Sequence, residues 1–269
     1  FYAGFARSSH AQASLIEIYR LKDNLILGFG NTGVSIARYL LKKNRPFMAV
    51  DSRNDLPGIE WLKGIKPDSE IIKNFDIELL KKVSNIYVSP GIPATNPIII
   101  KAAELGKVIK TDIDIFLEES SSKKILISGT NGKTTVASMA EKLIGEFFPS
   151  KNVVAIGNIG KPVLDYINQE VDISLIEISS FQLESSRSLR SEVAILLNVT
   201  PDHLDRHNSF DEYKDIKEKV FSNTKIEIRE SSGSQNSKNI LFYLDLFNEY
   251  DEAFLGLENN FPTHDIDNI

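Results

Sequence analysis

The sequence contains no cysteine, and no apolar run in it approaches the ~18 residues that a membrane-spanning helix requires. The first absence excludes a disulfide framework and any thiolate metal site, and it fits a cytoplasmic protein. The second excludes insertion in a membrane as a helix. A surplus of positive charge is missing too. The net charge is −6, and beyond Lys238 there is no Lys or Arg at all, only the seven acids Asp245, Glu249, Asp251, Glu252, Glu258, Asp265 and Asp267. Neither that tail nor the rest of the chain offers a basic face, which excludes nucleic acid as the expected partner. The opening segment, FYAGFARSSHAQASLIEIYR, carries Arg7 and Arg20 but lacks the long apolar stretch of a secretory signal. Residues 1–22 read as an extension or a fragment edge.

What is present is ordinary for a globular α/β protein. The 269 residues, 42% hydrophobic and 25% charged, suffice for two modest cores. From Leu25 onward, short apolar runs (LILGF, PFMAVD, NIYVS, KILISG, VVAIG, DISLIEIS, VAILLNV) alternate with stretches of helical period (NTGVSIARYLLKK, NPIIIKAAELG, KTTVASMAEKLIGEF, SFDEYKDIKEKVF). That alternation predicts parallel α/β architecture. The pattern restarts near Lys123 after the polar EESSSKK, and SSGSQNSKN at 231–239 reads as a linker. Expected domains therefore run over residues 23–120 and 121–228, with 229–269 an unassigned linker and acidic tail.

Two glycine-rich turns carry the chemistry. In GTNGKTT, Gly129, Thr130, Asn131, Gly132, Lys133, Thr134 and Thr135 stand where a strand passes into a helix. Glycines there let backbone N–H groups turn toward phosphate oxygens, and the helix adds its positive end. Lys133 would neutralise the outer phosphates and the Thr134 hydroxyl would reach Mg²⁺. The loop departs from the full Walker spacing, because Ile127 stands five residues before Gly132. The other turn, LGFGNTGVSIA, spaces Gly28, Gly30 and Gly33 as G-x-G-x-x-G, with Asp51 at the end of the next strand. Three readings stay open for it: a dinucleotide such as NAD, a nucleotide-sugar diphosphate, or glycines that serve close packing alone.

Three further features complete the candidate set. Glu177 lies near the carboxyl end of an apolar strand, as a solvated acid or as a second Mg²⁺ ligand opposite Thr134. NVTPDHLDRH gathers Asp202, His203, Asp205 and His207 in a short loop, which suits a metal or merely a polar surface. Lys217 falls on the apolar stripe of its helix, four residues after Tyr213 and four before Phe221. It is either a snorkelling lysine or one whose amine is desolvated and so held partly neutral. A neutral amine reacts with CO₂ to give a carbamate, an anion able to bind metal.

Taken together, GTNGKTT, GNIGKP (157–162), Glu177 and NVTPDHLD with His203 resemble the Mur ligase family, over roughly residues 24–225. EISSFQLE (177–184) is similar to the members that add D-glutamate to UDP-N-acetylmuramoyl-L-alanine. The resemblance implies a Rossmann-like first domain that binds the uridine nucleotide, followed by a P-loop ATPase domain. Asn31, Thr32, Asp51, Ser52 and Arg53 would hold the uracil–ribose end, with Ser89 and Gly91 of VSPGIP beside them. Asn158, Ser179 and Gln182 would contact the muramoyl part, and residues 129–135 would bind ATP. Two Mg²⁺ are implied, one on Thr134 and Glu177, the other on His203 and a carbamylated Lys217. Lys133, Glu177, His203 and Lys217 would thus be the catalytic set of a monomeric enzyme that forms an acyl phosphate and then an amide. Members of the family carry a third, carboxyl-terminal ligase domain. Since the resemblance fades after Thr224, that domain is expected to be absent here, with activity limited to substrate-stimulated ATP hydrolysis. The alternatives are an inactive nucleotide-sugar- and ATP-binding module and an NAD-binding redox or sensor protein.

Overall fold

The computed structural model of the chain describes residues 23–56, 58–65, 71–204 and 206–229. The amino-terminal extension, the acidic tail and Asp205 lie outside the described residues. The described residues up to Ile228 form one compact unit.

The first sheet has five strands: β1 (Asn24–Leu27), β2 (Phe47–Val50), β3 (Ile71–Ile72), β4 (Asn85–Val88) and β5 (Val108–Lys110). Their order is β3-β2-β1-β4-β5, and every pairing is parallel. Strands β1 and β2 are buried throughout, as the continuous apolar runs LIL and FMAV require of a sheet covered on both faces. Helix α1 (Asn31–Lys42) follows β1, α2 (Ile59–Ile65) leads toward β3, and α3 (Pro97–Glu104) starts with proline in its first turn and Asn96 as its cap. The chain runs outward from β1 to β3 and then returns to place β4 on the other side of β1. That reversal opens a crevice beyond the carboxyl ends of β1 and β4.

The second sheet repeats the plan with β6 (Lys123–Ser128), β7 (Val153–Gly157), β8 (Ile173–Glu177), β9 (Ser191–Leu196) and β10 (Thr224–Arg229), in the order β10-β9-β6-β8-β7. Strand β6 pairs in parallel with both β8 and β9. Helix α5 (Lys133–Phe147) follows β6, α6 (Ser180–Ser185) follows β8, and α7 (Phe210–Glu218) continues into a 3₁₀ turn at Lys219–Phe221.

The two sheets are joined by α4 (Asp112–Glu119), an element that the apolar/polar pattern did not reveal. DIDIFLEE places two acids among its apolar residues, yet Asp112 and Asp114 are both buried. Asp114 closes a capping box with Thr111 and also accepts the backbone N–H groups of Arg187 (2.8 Å) and Ser188 (2.9 Å) from the second sheet's side. Asp165, in the 3₁₀ turn Val163–Tyr166, in turn accepts Ser35 Oγ (2.9 Å) and both contacts from the Arg38 guanidinium (2.7 and 2.9 Å) on α1. Apolar side chains of both sheets, among them Ile26, Tyr87, Leu126 and Ile176, belong to one buried cluster that α4 bridges through Ile113, Phe116 and Leu117.

Candidate functional site

The turn after β1 is shaped by crowding. A Cβ on Gly33 would stand 2.2 Å from the carbonyl oxygen of Gly28, and Gly28 itself has φ +89°. These two glycines let α1 start hard against the end of β1. Gly30 is the least crowded of the trio: a Cβ there would stand 3.4 Å from the Arg53 guanidinium, in ordinary contact, and both it and Gly28 line the cleft. The G-x-G-x-x-G spacing thus reports two glycines required by close packing, with Gly30 between them. Ser89, after β4, fixes the same turn by donating to the Gly28 carbonyl at 2.8 Å.

Asp51 is almost wholly buried and accepts the Phe29 N–H at 2.7 Å, the Arg53 N–H at 3.0 Å, and the Arg53 guanidinium at 3.0 and 2.7 Å. Burial would raise its carboxyl. The hydrogen bonds from Arg53 and Phe29 outweigh that and hold it down at about 2. An anion is thus fixed at the strand end, with an adjacent guanidinium more than half exposed. Asn31, Thr32, Ser52 and Gly91 line the same recess.

On the second sheet, the loop 129–132 takes two left-handed glycines, Gly129 (φ +154°) and Gly132 (φ +83°), before α5 begins at Lys133. Asn198, at the end of β9, clamps this loop. Its Oδ1 accepts the N–H of Thr130 (3.1 Å) and of Asn131 (2.9 Å), and its Nδ2 donates to Asn131 O (3.1 Å). Thr130 Oγ1 donates to Thr200 O at 3.1 Å. Lys133 folds over the loop and donates to the carbonyls of Gly129 (2.9 Å) and Thr130 (2.8 Å). Asn131, Gly132, Thr134 and Thr135 are exposed at the turn and the first helical turn, where N–H groups lack intrahelical acceptors.

Glu177 is no solvated acid: it is 2% exposed at the end of β8. It accepts Thr134 Oγ1 at 2.7 Å and Asn158 Nδ2 at 3.1 Å, so three predicted residues from three segments meet on one carboxylate. Lys217 does not snorkel either. It is 2% exposed, with Nζ donating to Gly129 O at 2.7 Å and lying 5.3 Å from the centre of the Tyr213 ring. Desolvation, reinforced by the nearby Lys133 charge, lowers its amine to about 8.

The histidine loop divides. Asp202 and His203 line the cleft, His203 with a left-handed backbone (φ +51°) that a non-glycine residue adopts only under strong local constraint. His207 instead turns inward, 2% exposed, with Nε2 3.1 Å from Ser180 Oγ and its ring stacked on Phe181. Burial lowers its pKa. Among the described residues no three His, Asp or Glu side chains converge on a point that could hold a metal. Asp205, the fourth member of the loop's cluster, lies outside the described residues. Ser179 and Gln182 form the capping box of α6, which holds that turn at the cleft.

Many of these residues line one cleft of about 750 Å³ between the carboxyl ends of the two sheets, and Glu177, itself outside the lining, bonds to Asn158 in its wall. Its wall includes Asp51, Arg53, Ser89 and Gly91 from the first sheet's side, and Lys133, Asn158, Ser179, Gln182, His203 and Lys217 from the second's. Sequence reasoning missed Asn198, Phe181 and Asp112. Asn198 and Phe181 stand inside strings that were read for their neighbours, and Asp112 belongs to the helix that the pattern hid.

The fold and cleft define a class. Residues 22–110 match the Mur ligase MurD-like N-terminal domain, and residues 127–230 match the Mur ligase middle domain. The chain belongs to the Mur ligase family, whose members form amide bonds at the expense of ATP and use Mg²⁺. More particularly, it is 40% identical over 207 residues to the UDP-N-acetylmuramoylalanine–D-glutamate ligase of Coxiella burnetii (strain Dugway 5J108-111), covering 76% of this chain and 46% of that protein. It is 39% identical over 206 residues to the ligase of the same name from Legionella pneumophila (strain Lens), covering 75% and 45%. The chain thus spans about half the length of the curated relatives it matches. Among solved structures, the UDP-N-acetylmuramate:L-alanyl-γ-D-glutamyl-meso-diaminopimelate ligase of Neisseria meningitides aligns with 83% of this chain and 75% of its own, at 16% identity and a TM-score of 0.49. Neither the NAD-binding reading nor that of an inactive binding module finds support in these matches. No helix among the described residues is long and apolar enough to cross a membrane.

Proposed function

We propose that the protein is the ligase that joins D-glutamate to UDP-N-acetylmuramoyl-L-alanine, acting as a monomer through an acyl phosphate. The observation that carries the reading is the meeting of two unlike sites in one cleft. The Asp51–Arg53 platform suits a uridine nucleotide, and the Lys133–Thr134–Glu177 group suits ATP. A substrate anchored by its nucleotide on the first would extend its carboxylate toward the second. The string EISSFQLE and the relatives' names narrow the amino acid to D-glutamate.

In this scheme Asp51, Ser52, Arg53, Asn31 and Thr32 bind the uracil–ribose end, and Ser89 and Gly91 line it. Asn158, Ser179 and Gln182 orient the muramoyl part. The loop 129–135 binds the ATP phosphates, with Lys133 leaving its loop carbonyls to meet charge that spreads in the transition state. The substrate carboxylate oxygen bonds to the γ-phosphorus as ADP departs. The amine of D-glutamate then bonds to the acyl carbon and gives up a proton, and phosphate leaves.

The donors fit Mg²⁺. Glu177 is a buried carboxylate whose hydrogen bonds, among the described residues, come from the neutral groups of Thr134 and Asn158, so a hard cation would supply its missing charge. Thr134 and Glu177 would hold one Mg²⁺, and His203 and Lys217, the latter as its carbamate, a second. Bound there, Mg²⁺ would neutralise phosphate charge. The carbamate forms when the neutral Lys217 amine bonds to CO₂ and releases a proton.

The test is phosphate release from ATP by the purified chain. UDP-N-acetylmuramoyl-L-alanine should stimulate it, and hydroxylamine should trap the acyl group as a hydroxamate. Phosphate release indifferent to the sugar nucleotide, or binding of NAD in its place, would defeat the reading.

A further inference from the structure

Among the described residues, two buried side-chain polar atoms lack a hydrogen-bond partner, Asp112 Oδ1 and Ser185 Oγ. Of these two residues Asp112 also contributes to the wall of the cleft. A buried carboxyl with an unpaired oxygen is costly and calls for a reason. Its neighbours show how firmly it is held. Thr111, the residue before it, caps α4, its backbone N–H donating to Asp114 at 2.8 Å, and lies 3.2 Å, Oγ to Oγ, from Ser186 at the far end of α6. The backbone just before Asp112 is thus tied both to its own helix and to the end of α6.

We propose that Asp112 is a substrate-recognition residue that accepts a hydrogen bond from a neutral donor, a hydroxyl or amide N–H, on the sugar portion of the bound nucleotide sugar. This rests on the nucleotide-sugar reading of the cleft. The choice of a neutral donor follows from charge. No cationic side chain pairs with Asp112 among the described residues, so a diphosphate beside it would be repelled. Arg53 offers the diphosphate better company elsewhere in the wall. Burial, with the nearby Asp114 charge adding to it and backbone N–H groups of the first helical turn opposing it, raises the Asp112 carboxyl to about 7. A carboxyl poised between its two forms suits a neutral partner and would exact little cost for desolvation on binding.

Calorimetric titration of the 269-residue chain with two ligands, UDP-N-acetylmuramoyl-L-alanine and UDP, tests it. Asp112→Leu should weaken the sugar nucleotide on the order of tenfold while leaving UDP affinity unchanged. Asp112→Asn, which keeps an acceptor oxygen, should retain most of the affinity. If the leucine variant melts below the assay temperature, Asp112→Ala replaces it with the same expectation. Equal losses for both ligands, or no loss for either, would overturn the proposal while the nucleotide-sugar reading stands. Failure of the unaltered chain to bind either ligand would overturn both.

Discussion

Lys133 and Lys217 donate to the same acceptor: the carbonyl oxygen of Gly129 receives one ammonium at 2.9 Å and the other at 2.7 Å. One lysine comes from the phosphate loop's own helix and the other from a helix more than eighty residues away, so the loop is pinned from two sides. Two cations on one carbonyl repel, and the more buried of them gives way. That repulsion adds to the desolvation that chiefly draws the Lys217 amine down to about 8.

The first prediction is a pH dependence. With its amine at about 8, Lys217 is about half neutral at pH 8, whereas a lysine of ordinary pKa would be under about 1% neutral. Carbamate should therefore accumulate as pH rises from 7 to 9 in bicarbonate. Carbon-13 NMR with labelled bicarbonate should show a carbamate signal that Lys217→Ala abolishes. Lys133→Met removes the repelling charge, so the amine should titrate higher and the signal at pH 8 should shrink. A signal unchanged in the Lys217 variant would show that it belongs elsewhere.

Lys133→Ala should separate the two halves of the cleft. Mg²⁺-dependent ATP binding should fall at least tenfold, since a charge-assisted contact is worth about 1.5–3 kcal/mol. UDP-N-acetylmuramoyl-L-alanine should bind within about twofold of the unaltered chain. Equilibrium binding of each ligand alone decides the matter, and retained ATP affinity would remove Lys133 from the phosphate site.

Asp51→Ala should cost stability in a pH-dependent way. The carboxyl is held lower in the folded chain than in the unfolded one, so its stabilisation is complete above about pH 4 and is lost as pH falls toward 2. Discounting for the half-exposed Arg53 partner, the expected loss at neutral pH is about 1–2 kcal/mol. Urea denaturation at pH 7 and pH 3 should show the difference between variant and parent shrinking at the lower pH. A difference that does not change with pH would mean that the charge of the carboxylate contributes nothing to the loss.

Asn198→Ala should loosen the phosphate loop without touching a ligand directly. Three hydrogen bonds go with it, from the Thr130 and Asn131 N–H groups and to Asn131 O. A loss of about 1–2 kcal/mol of stability and a weakened ATP affinity with unaltered sugar-nucleotide affinity are expected. Asn198→Asp should restore the two accepted bonds and part of the ATP affinity. Equal behaviour of the two variants would deny the clamp.

The strand–turn–helix junctions were legible because apolar runs and glycines report local geometry. β1 with Gly28–Gly33 and β6 with GTNGKTT could be placed from a dozen residues each. Lys217 was legible from its position on an apolar stripe, and its burial bears out the desolvated alternative over the snorkelling one. Helix α4 was not legible. Asp112 and Asp114 interrupt the apolar pattern, and the reason they are tolerated, a capping box that also receives Arg187 and Ser188 N–H groups, lies seventy residues away. Asn198 was hidden for a related cause. Its partners are backbone groups of a distant loop, and backbone groups leave no mark on sequence.

The apolar cluster that runs through α4 from one sheet into the other has a calorimetric consequence. Two halves that share a core cannot melt at separate temperatures unless one leaves a large apolar face in water. The described residues up to Ile228 should therefore give a single endotherm whose calorimetric and van't Hoff enthalpies agree. A cut made between Glu119 and Lys123 would release two fragments prone to aggregate, not two independent modules. Recombining the halves of different relatives would succeed only when Ile113, Phe116 and Leu117 travel together with the side chains they meet.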